Sequence, residues 1–352
     1  MLPKSALTER LGLAFPILQA PMAGATTPAL AAEVSEAGGL GALGLGTLTP
    51  EAAAAEIQRF KQRSDKPLNA NFFCHEDPGD VLGGGRHMRQ RLAPFYRDHN
   101  VGEVPEPSVP YGTFGAGHAV VLAREKPAVI SFHFGLPDDE LLEQAHATGA
   151  LILCSATTVA EARALETAGV DAIIAQGLEA GGHRGTFLGG DMTNQPGLFA
   201  LLPQICRAVS VPVIAAGGIV DGHTAAAAFM LGASAVQVGT AFLRNADSKI
   251  SDPHRRALAQ AGDESTRVTR LHSGKPARAI RNRLLDELAD LEDETAPYPA
   301  QRSLVAPLGP KGDGAYQALW AGQNVGLTRE MPAADLVRSL AEETAARLKA
   351  FA

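Results

Sequence analysis

VPVIAAGGIVDGHTAAAAFMLGASAVQVGTAFL, residues 211–243, decides how the rest of the chain is read. Two short apolar runs, Val213–Ala216 and Ala235–Val238, each end in glycine. Between them Asp221–Leu231 is alanine-rich and of helical length. Strand, helix, strand is the βαβ unit of a parallel sheet. Gly217-Gly218 and Gly239 follow the carboxyl ends of the two strands. Lacking Cβ atoms, they let an anion approach backbone N–H groups, and helices opening after them favour negative charge. The pair of loops reads as a phosphate cradle. The plainer reading is two tight turns that need glycine for packing. In a (β/α)8 barrel the loops after strands seven and eight often bind phosphate.

The same beat runs outward from this unit. Strands are expected at Phe15–Ala20, Leu40–Leu43, Leu68–Phe73, Ala128–Phe132, Ala150–Ser155 and Ala172–Gln176. Helices are expected at Pro28–Ala37, from Pro50 to about residue 63, and at Asp138–Thr148, Val159–Ala168 and Gly197–Val209. Thr27-Pro28 and Thr49-Pro50 are helix starts, a capping hydroxyl followed by proline at the first helical position. Eight strands alternating with helices favour an α/β fold of the (β/α)8 TIM-barrel type over an open doubly wound sheet. The beat breaks at residues 77–125, which read as an insertion after strand three, with helices near Arg86–His99 and Phe114–Arg124. Residues 1–245 are then the barrel. Residues 246–352 hold the last barrel helix and a mostly helical C-terminal extension, with helical patterns at Ile280–Leu291 and Ala333–Phe351.

Composition narrows the function. The 352 residues carry a formal net charge of −7 and no long basic run, which argues against a nucleic-acid partner. No apolar run reaches the roughly 20 residues of a membrane span. Three scattered cysteines without CxxC spacing suit a reduced, cytoplasmic protein with buried thiols. The N-terminus has no signal-like apolar core.

In a barrel, function sits at the carboxyl ends of the strands. Those positions hold Ala20-Pro21-Met22-Ala23-Gly24, Asn71 through His75, Ser131 through Gly135, Gln176 with the loop 177–185, Gly217-Gly218, and Gln237 through Thr240. Amides (Asn71, Gln176, Gln237) and glycines dominate, and carboxylates are few. A planar heteroaromatic ring with a phosphate tail fits this inventory. A metal site does not, because it needs several His, Asp or Glu ligands converging on one ion. His183, flanked by Gly181-Gly182 and Gly185, is the candidate for acid/base or electrostatic work. His133 and His75 share the face, with hydrogen bonding to backbone carbonyls as the structural alternative. Glu179 reads mainly as a solvent-facing carboxylate.

QAPMAG at 19–24, NANFF at 69–73, SFHFGLP at 131–137, GLEAGGHRG at 177–185, AAGGI at 215–219 and QVGTAFL at 237–243 resemble the nitronate monooxygenases, formerly called 2-nitropropane dioxygenases. FFCHE at 72–76 and WAGQ at 320–323 are similar to the first class of that family. The AGGH loop is shared with FMN-dependent enoyl-acyl-carrier-protein reductases. The resemblance implies FMN as cofactor, held by Ala20, Pro21, Met22, Ala23, Asn71, Gln176, Gly181, Gly182, Gly217, Gly218, Gln237, Val238, Gly239 and Thr240. It implies His183 as the catalytic residue, with His133 and Met22 on the substrate side and no metal. The implied reaction oxidises an alkyl nitronate with molecular oxygen to a carbonyl compound and nitrite, through one-electron transfer to flavin. Propionate 3-nitronate is the family-level candidate substrate, and a homodimer the possible assembly. Two rivals remain: an NAD(P)H-dependent FMN reductase, and a flavin- or phosphate-binding barrel without turnover. No GxGxxG follows a strand to mark a dedicated NAD(P)H site.

Overall fold

In the computed structural model, which describes residues 2–82, 85–189 and 191–350, eight parallel strands form a barrel. They begin with β1 (Ile17–Gln19), β2 (Gly41–Gly44), β3 (Leu68–Phe73), β4 (Val129–His133), β5 (Leu151–Ala156) and β6 (Ala172–Gln176). A two-residue strand, β7 (Gly182–His183), lies outside the barrel, and β8 (Val213–Ala216) and β9 (Ala235–Val238) complete it. The order is β1-β9-β8-β6-β5-β4-β3-β2. A parallel bridge between Leu18 and Leu40 joins the two ends, with Gln19 N–H donating to Leu40 O at 2.9 Å and Leu40 N–H to Ile17 O at 3.0 Å.

Alternation along the strands builds two cores. In β8, Ile214 and Ala216 point inward with Leu18, Leu153 and Ile174, while Val213 and Ala215 pack outward against the helices. Helices Pro28–Glu36 and Pro50–Lys61 start as their sequences dictate. Thr27 Oγ1 accepts from Leu30 N–H at 3.1 Å and Thr49 Oγ1 from Ala52 N–H at 3.3 Å, each followed by proline. These caps satisfy N–H groups that the first helical turn leaves open.

The segment 77–125 divides. Helix Arg86–Asp98 leaves the ring and packs Met88, Leu92, Phe95 and Tyr96 on Leu284, Leu285, Leu291 and Leu304. Helix Ala116–Glu125 instead takes its place in the ring, between Pro50–Lys61 and Asp139–Ala147. The last ring helix is Ala333–Ala350, lying between Gly222–Met230 and Pro28–Glu36 and burying Leu336, Val337 and Leu340. Its sequence pattern runs to Phe351, outside the described residues.

The C-terminal part differs from its helical reading at Ile280. Residues Ala277–Ile280 form β11, antiparallel to β10 (Thr266–Thr269) on one side and β7 on the other. Asn282 then caps a short helix, Arg283–Glu287, followed by a 3-10 stretch, Ala289–Glu294. The apolar spacing at 280–291 therefore serves a strand end and two short helical turns. Among the described residues, no helix is long and apolar enough to cross a membrane.

Candidate active site

The carboxyl ends of the barrel strands open into a cavity of about 510 Å3. Ala20, Pro21, Met22, Ala23, Asn71, His133, Gln176, Gly181, Gly182, His183, Gly217, Gly218, Gln237, Gly239 and Thr240 all line it. Val238 does not. Its neighbour Gln237 takes the inward position, so alternation turns Val238 into the outer core, where it is fully buried. His75 lies off the cavity wall, edge-on to Tyr298 at 5.0 Å between ring centres. Glu179 caps a helix: its carboxylate accepts from Leu198 N–H at 2.8 and 2.9 Å, at the start of Leu198–Ala208. A negative charge there is stabilised by the helix dipole.

Residues far away in sequence complete the wall. Tyr111 comes from the inserted segment, and His272, Arg302, Tyr316 and Trp320 from the C-terminal part. Of these only Trp320 left a signal, as part of the WAGQ resemblance.

His183 is held by this distant material. It is the second residue of β7 and pairs with Ala277 of β11, so the loop has a fixed backbone. Its ring sits among Phe134, Tyr298 and Trp320, at centre distances of 5.7, 5.4 and 5.2 Å. Its Nε2 lies 2.8 Å from Ser273 Oγ. Behind the loop, the fully buried Arg184 donates to the carbonyls of Gly177 and Gln176 at 2.5 and 2.8 Å. Loss of hydration, then the nearby His133, Lys275, Arg302 and His272, push the His183 imidazole down to about 3. His133 and His272 are pushed down to about 4 and about 3, mainly by burial. All three are neutral rings at neutral pH.

The glycine loops are open in the way a phosphate needs. Gly217 and Gly218 have φ of +110° and +71°, a conformation that suits glycine. Among the described residues, none accepts the N–H of Gly218, Ile219, Gly239 or Thr240. The expected help from helix N-termini is not there. Asp221 caps helix Gly222–Met230 at Thr224 N–H (2.9 Å), and Glu343 takes Gly222 N–H (3.0 Å). The helix after Gly239 has only four residues. What these loops offer an anion is therefore their free N–H groups. Gln237 Oε1 is buried without a partner among the described residues, an acceptor that a ligand N–H would satisfy. A segment behind the cradle locks it: Gly322 N–H donates to Thr240 Oγ1 at 2.9 Å, and Asn324 Nδ2 to Gly218 O at 2.5 Å. Gly181 must be glycine for this, because a Cβ there would lie 2.5 Å from Gly322 N. No group of three or more His, Cys, Asp or Glu that could hold a metal is found among the described residues.

Fold and cavity together define a (β/α)8-barrel enzyme whose site faces the carboxyl ends of the strands. The family model described as nitronate monooxygenase matches residues 4–343. A nitronate monooxygenase of Paraburkholderia phytofirmans is 42% identical over 97% of this chain and 95% of its own. One from Pseudomonas aeruginosa is 40% identical over 96% and 98%. The solved nitroalkane oxidase of Streptomyces ansochromogenes superposes with a TM-score of 0.89 at 40% identity, covering 99% of this chain and 100% of its own. FabK of Thermotoga maritima is more distant, with a TM-score of 0.77 at 29% identity over 99% and 98%. The chain belongs to the nitronate monooxygenase family, and is an oxidoreductase acting on nitronates.

The buried histidines carry a pH consequence. His75, His133, His183, His254 and His272 are all depressed, to about 3 or about 4, chiefly by burial. The unfolded chain protonates them near their ordinary value of about 6.5, so it binds more protons than the folded chain below that pH. Their contribution is present above about 6.5 and is lost as pH falls toward 3–4. At pH 5 each costs at most about 2 kcal/mol. The thermal midpoint should drop between pH 7 and pH 5, with net proton uptake on unfolding measured by calorimetry in buffers of different ionisation heat. A midpoint that stays level or rises over that range contradicts neutral burial.

Proposed function

We propose that this protein oxidises alkyl nitronates with molecular oxygen, with FMN held in the cavity, and releases a carbonyl compound and nitrite. Propionate 3-nitronate is the candidate physiological substrate. The observation that supports this most is the sign of the cavity. The chain is acidic overall, at −7, yet among the described residues no Asp or Glu lines the site. Lys249 and Arg302 do, and neither side chain has a partner among the described residues. Such a wall favours anions, and both the phosphate of FMN and a nitronate are anionic.

The residues present fit FMN. The unpartnered N–H groups of Gly218, Ile219, Gly239 and Thr240 would receive its phosphate. Gln237 Oε1 would accept an N–H of the ring edge, which relieves a buried orphan acceptor. When bound, FMN supplies a ring that can take electrons singly; the protein supplies placement and charge. Asn71 is steadied for its place on the wall by donating to Ser131 O and Oγ, at 3.1 and 2.9 Å.

His183 contributes a neutral imidazole on the substrate side. A preformed nitronate needs no proton removed, and Arg302 and Lys275 lie near enough to His183 to depress its pKa. The negative charge of a nitronate would be met by Arg302, which lines the cavity. A neutral nitroalkane has to lose a carbon-bound proton, and the ring nitrogen not committed to Ser273 would take it.

Three measurements test the reading. Purified wild-type protein should show the two visible flavin bands, and Gly218→Leu should fold yet carry little FMN. Stoichiometric FMN in that variant would put the cradle elsewhere. Wild-type enzyme should release nitrite rapidly from a nitronate in air and oxidise NADPH or NADH only slowly; the reverse pattern would favour a reductase. His183→Asn should lose activity on neutral nitroalkanes by about two orders of magnitude or more, with a smaller loss on the preformed nitronate. Equal losses on both forms would reject the base role.

A further inference from the structure

The backbone carbonyl of His183 is held from two sides. Gln176 Nε2 donates to it at 2.9 Å, and His133 Nε2 lies 3.2 Å away. A carbonyl oxygen only accepts, so the hydrogen of the His133 ring is on Nε2. In a neutral imidazole the other nitrogen is then the acceptor. That nitrogen, Nδ1, lies 3.0 Å from Ser155 Oγ, so the hydroxyl donates to it. Both nitrogens of His133 are used inside the protein, although its ring borders the cavity. Gln176 is committed as well: its Oε1 accepts from Gly185 N–H at 2.8 Å.

The anchors stand at or near the ends of three consecutive barrel strands, His133 on β4, Ser155 on β5 and Gln176 on β6. Those strands are paired with one another, so the anchors have a fixed spacing. β11 holds the loop from one side: His183 pairs with Ala277, and Arg184 N–H donates to Pro276 O at 2.9 Å. Gly182, with φ +71°, precedes His183, and nothing in a glycine's backbone selects one direction for the next side chain. With the N–H of the 183–184 peptide given to Pro276 O, the two donors on its carbonyl complete the fixing of the backbone that carries the imidazole. Gly185 belongs to the same device. A Cβ at that position would lie 2.9 Å from Ser155 Cβ and 3.0 Å from His133 Cε1, so only glycine lets the loop settle onto the pair.

We infer that His133, set by Ser155, is a positioning residue that acts with Gln176 through the backbone of His183 and does not bind substrate through its own nitrogens. This rests on the reading of His183 as the residue beside the substrate. A ligand role for His133 would show in KM; a positioning role shows in kcat, because the substrate still binds while the imidazole is misplaced.

The test uses the FMN-loaded enzyme. His133→Leu removes the donor, while His133→Gln puts an amide Nε2 where the ring Nε2 stood. With a neutral nitroalkane, on which the His183 ring acts as base, His133→Leu should lower kcat by about tenfold or more with KM within about twofold. His133→Gln should recover most of the loss, and FMN content should stay at the wild-type level in both. A raised KM with kcat retained, or no rescue by glutamine, overturns the inference. Nitrogen-15 NMR of histidine-labelled wild-type protein reads the same point without any variant and without turnover. His133 should appear as the neutral Nε2–H tautomer at pH 6. An Nδ1–H tautomer or a charged ring at that pH overturns it, even if nitronate turnover itself were absent.

Discussion

Closing eight parallel strands into a ring is the constraint on which the rest depends. The joint between β1 and β2 is narrow, one bridge at Leu18 and Leu40 with two backbone hydrogen bonds. Once it is made, all eight carboxyl ends point to one mouth, and side chains from eight distant places in sequence share one wall. Residues Ala20–Ala23, Asn71, His133, Gln176, Gly217-Gly218, Gln237 and Gly239 meet for that reason alone. A barrel by itself leaves the mouth open to water. The inserted segment and the C-terminal part bring Tyr111, His272, Arg302 and Trp320 to the wall, and the helix Arg86–Asp98 packs against the C-terminal part.

Burial then sets the electrostatics. Carboxylates that might have met the cations are turned elsewhere: Glu179 and Glu343 cap helices, and Glu161 accepts from Thr157, Phe187 and Leu188 N–H groups at 2.7, 2.7 and 3.2 Å. The cavity is left with Lys249, Arg302 and neutral histidines. The site is thus prepared for an anion by fixed cations, with His183 held uncharged beside them. Aromatic rings stand around His183, and burial depresses the pKa of His272 on the same wall.

Much of this was legible in the sequence, for identifiable reasons. Strands β3, β6, β8 and β9 fall at the residues their apolar runs mark, because each run is bounded by glycine, proline or a capping residue. Strand-end positions named the cavity wall well, since a barrel leaves one place for them to go. Errors came where tertiary contacts decide. Val238 was one residue out of phase with the wall. Gly182-His183 reads as a loop because a two-residue strand has no period, and its partner β11 lies more than ninety residues on. Tyr111, Ser273, Tyr298 and Arg302 sit in segments without periodic pattern, so nothing local marks them. The N-terminus of helix Gly222–Met230 is already taken by Asp221 and Glu343, the latter 121 residues from the Gly222 N–H that it accepts.

The account turns on a neutral His183 in a cationic, carboxylate-free cavity that receives the nitronate as an anion. The most direct test is kcat/KM for a preformed nitronate, read as nitrite release, across about pH 5.5 to 8.5. A free-enzyme group that titrates in that window appears as a bend in this profile. With His183 pushed down to about 3, its protonation lies well below the window, so the neutral form is present throughout. The profile should be flat to within about twofold wherever the nitronate itself stays ionised. Activity that rises as pH falls through about 6.5, in wild type and not in His183→Asn, would mean that the imidazolium is the working form, and would contradict the account.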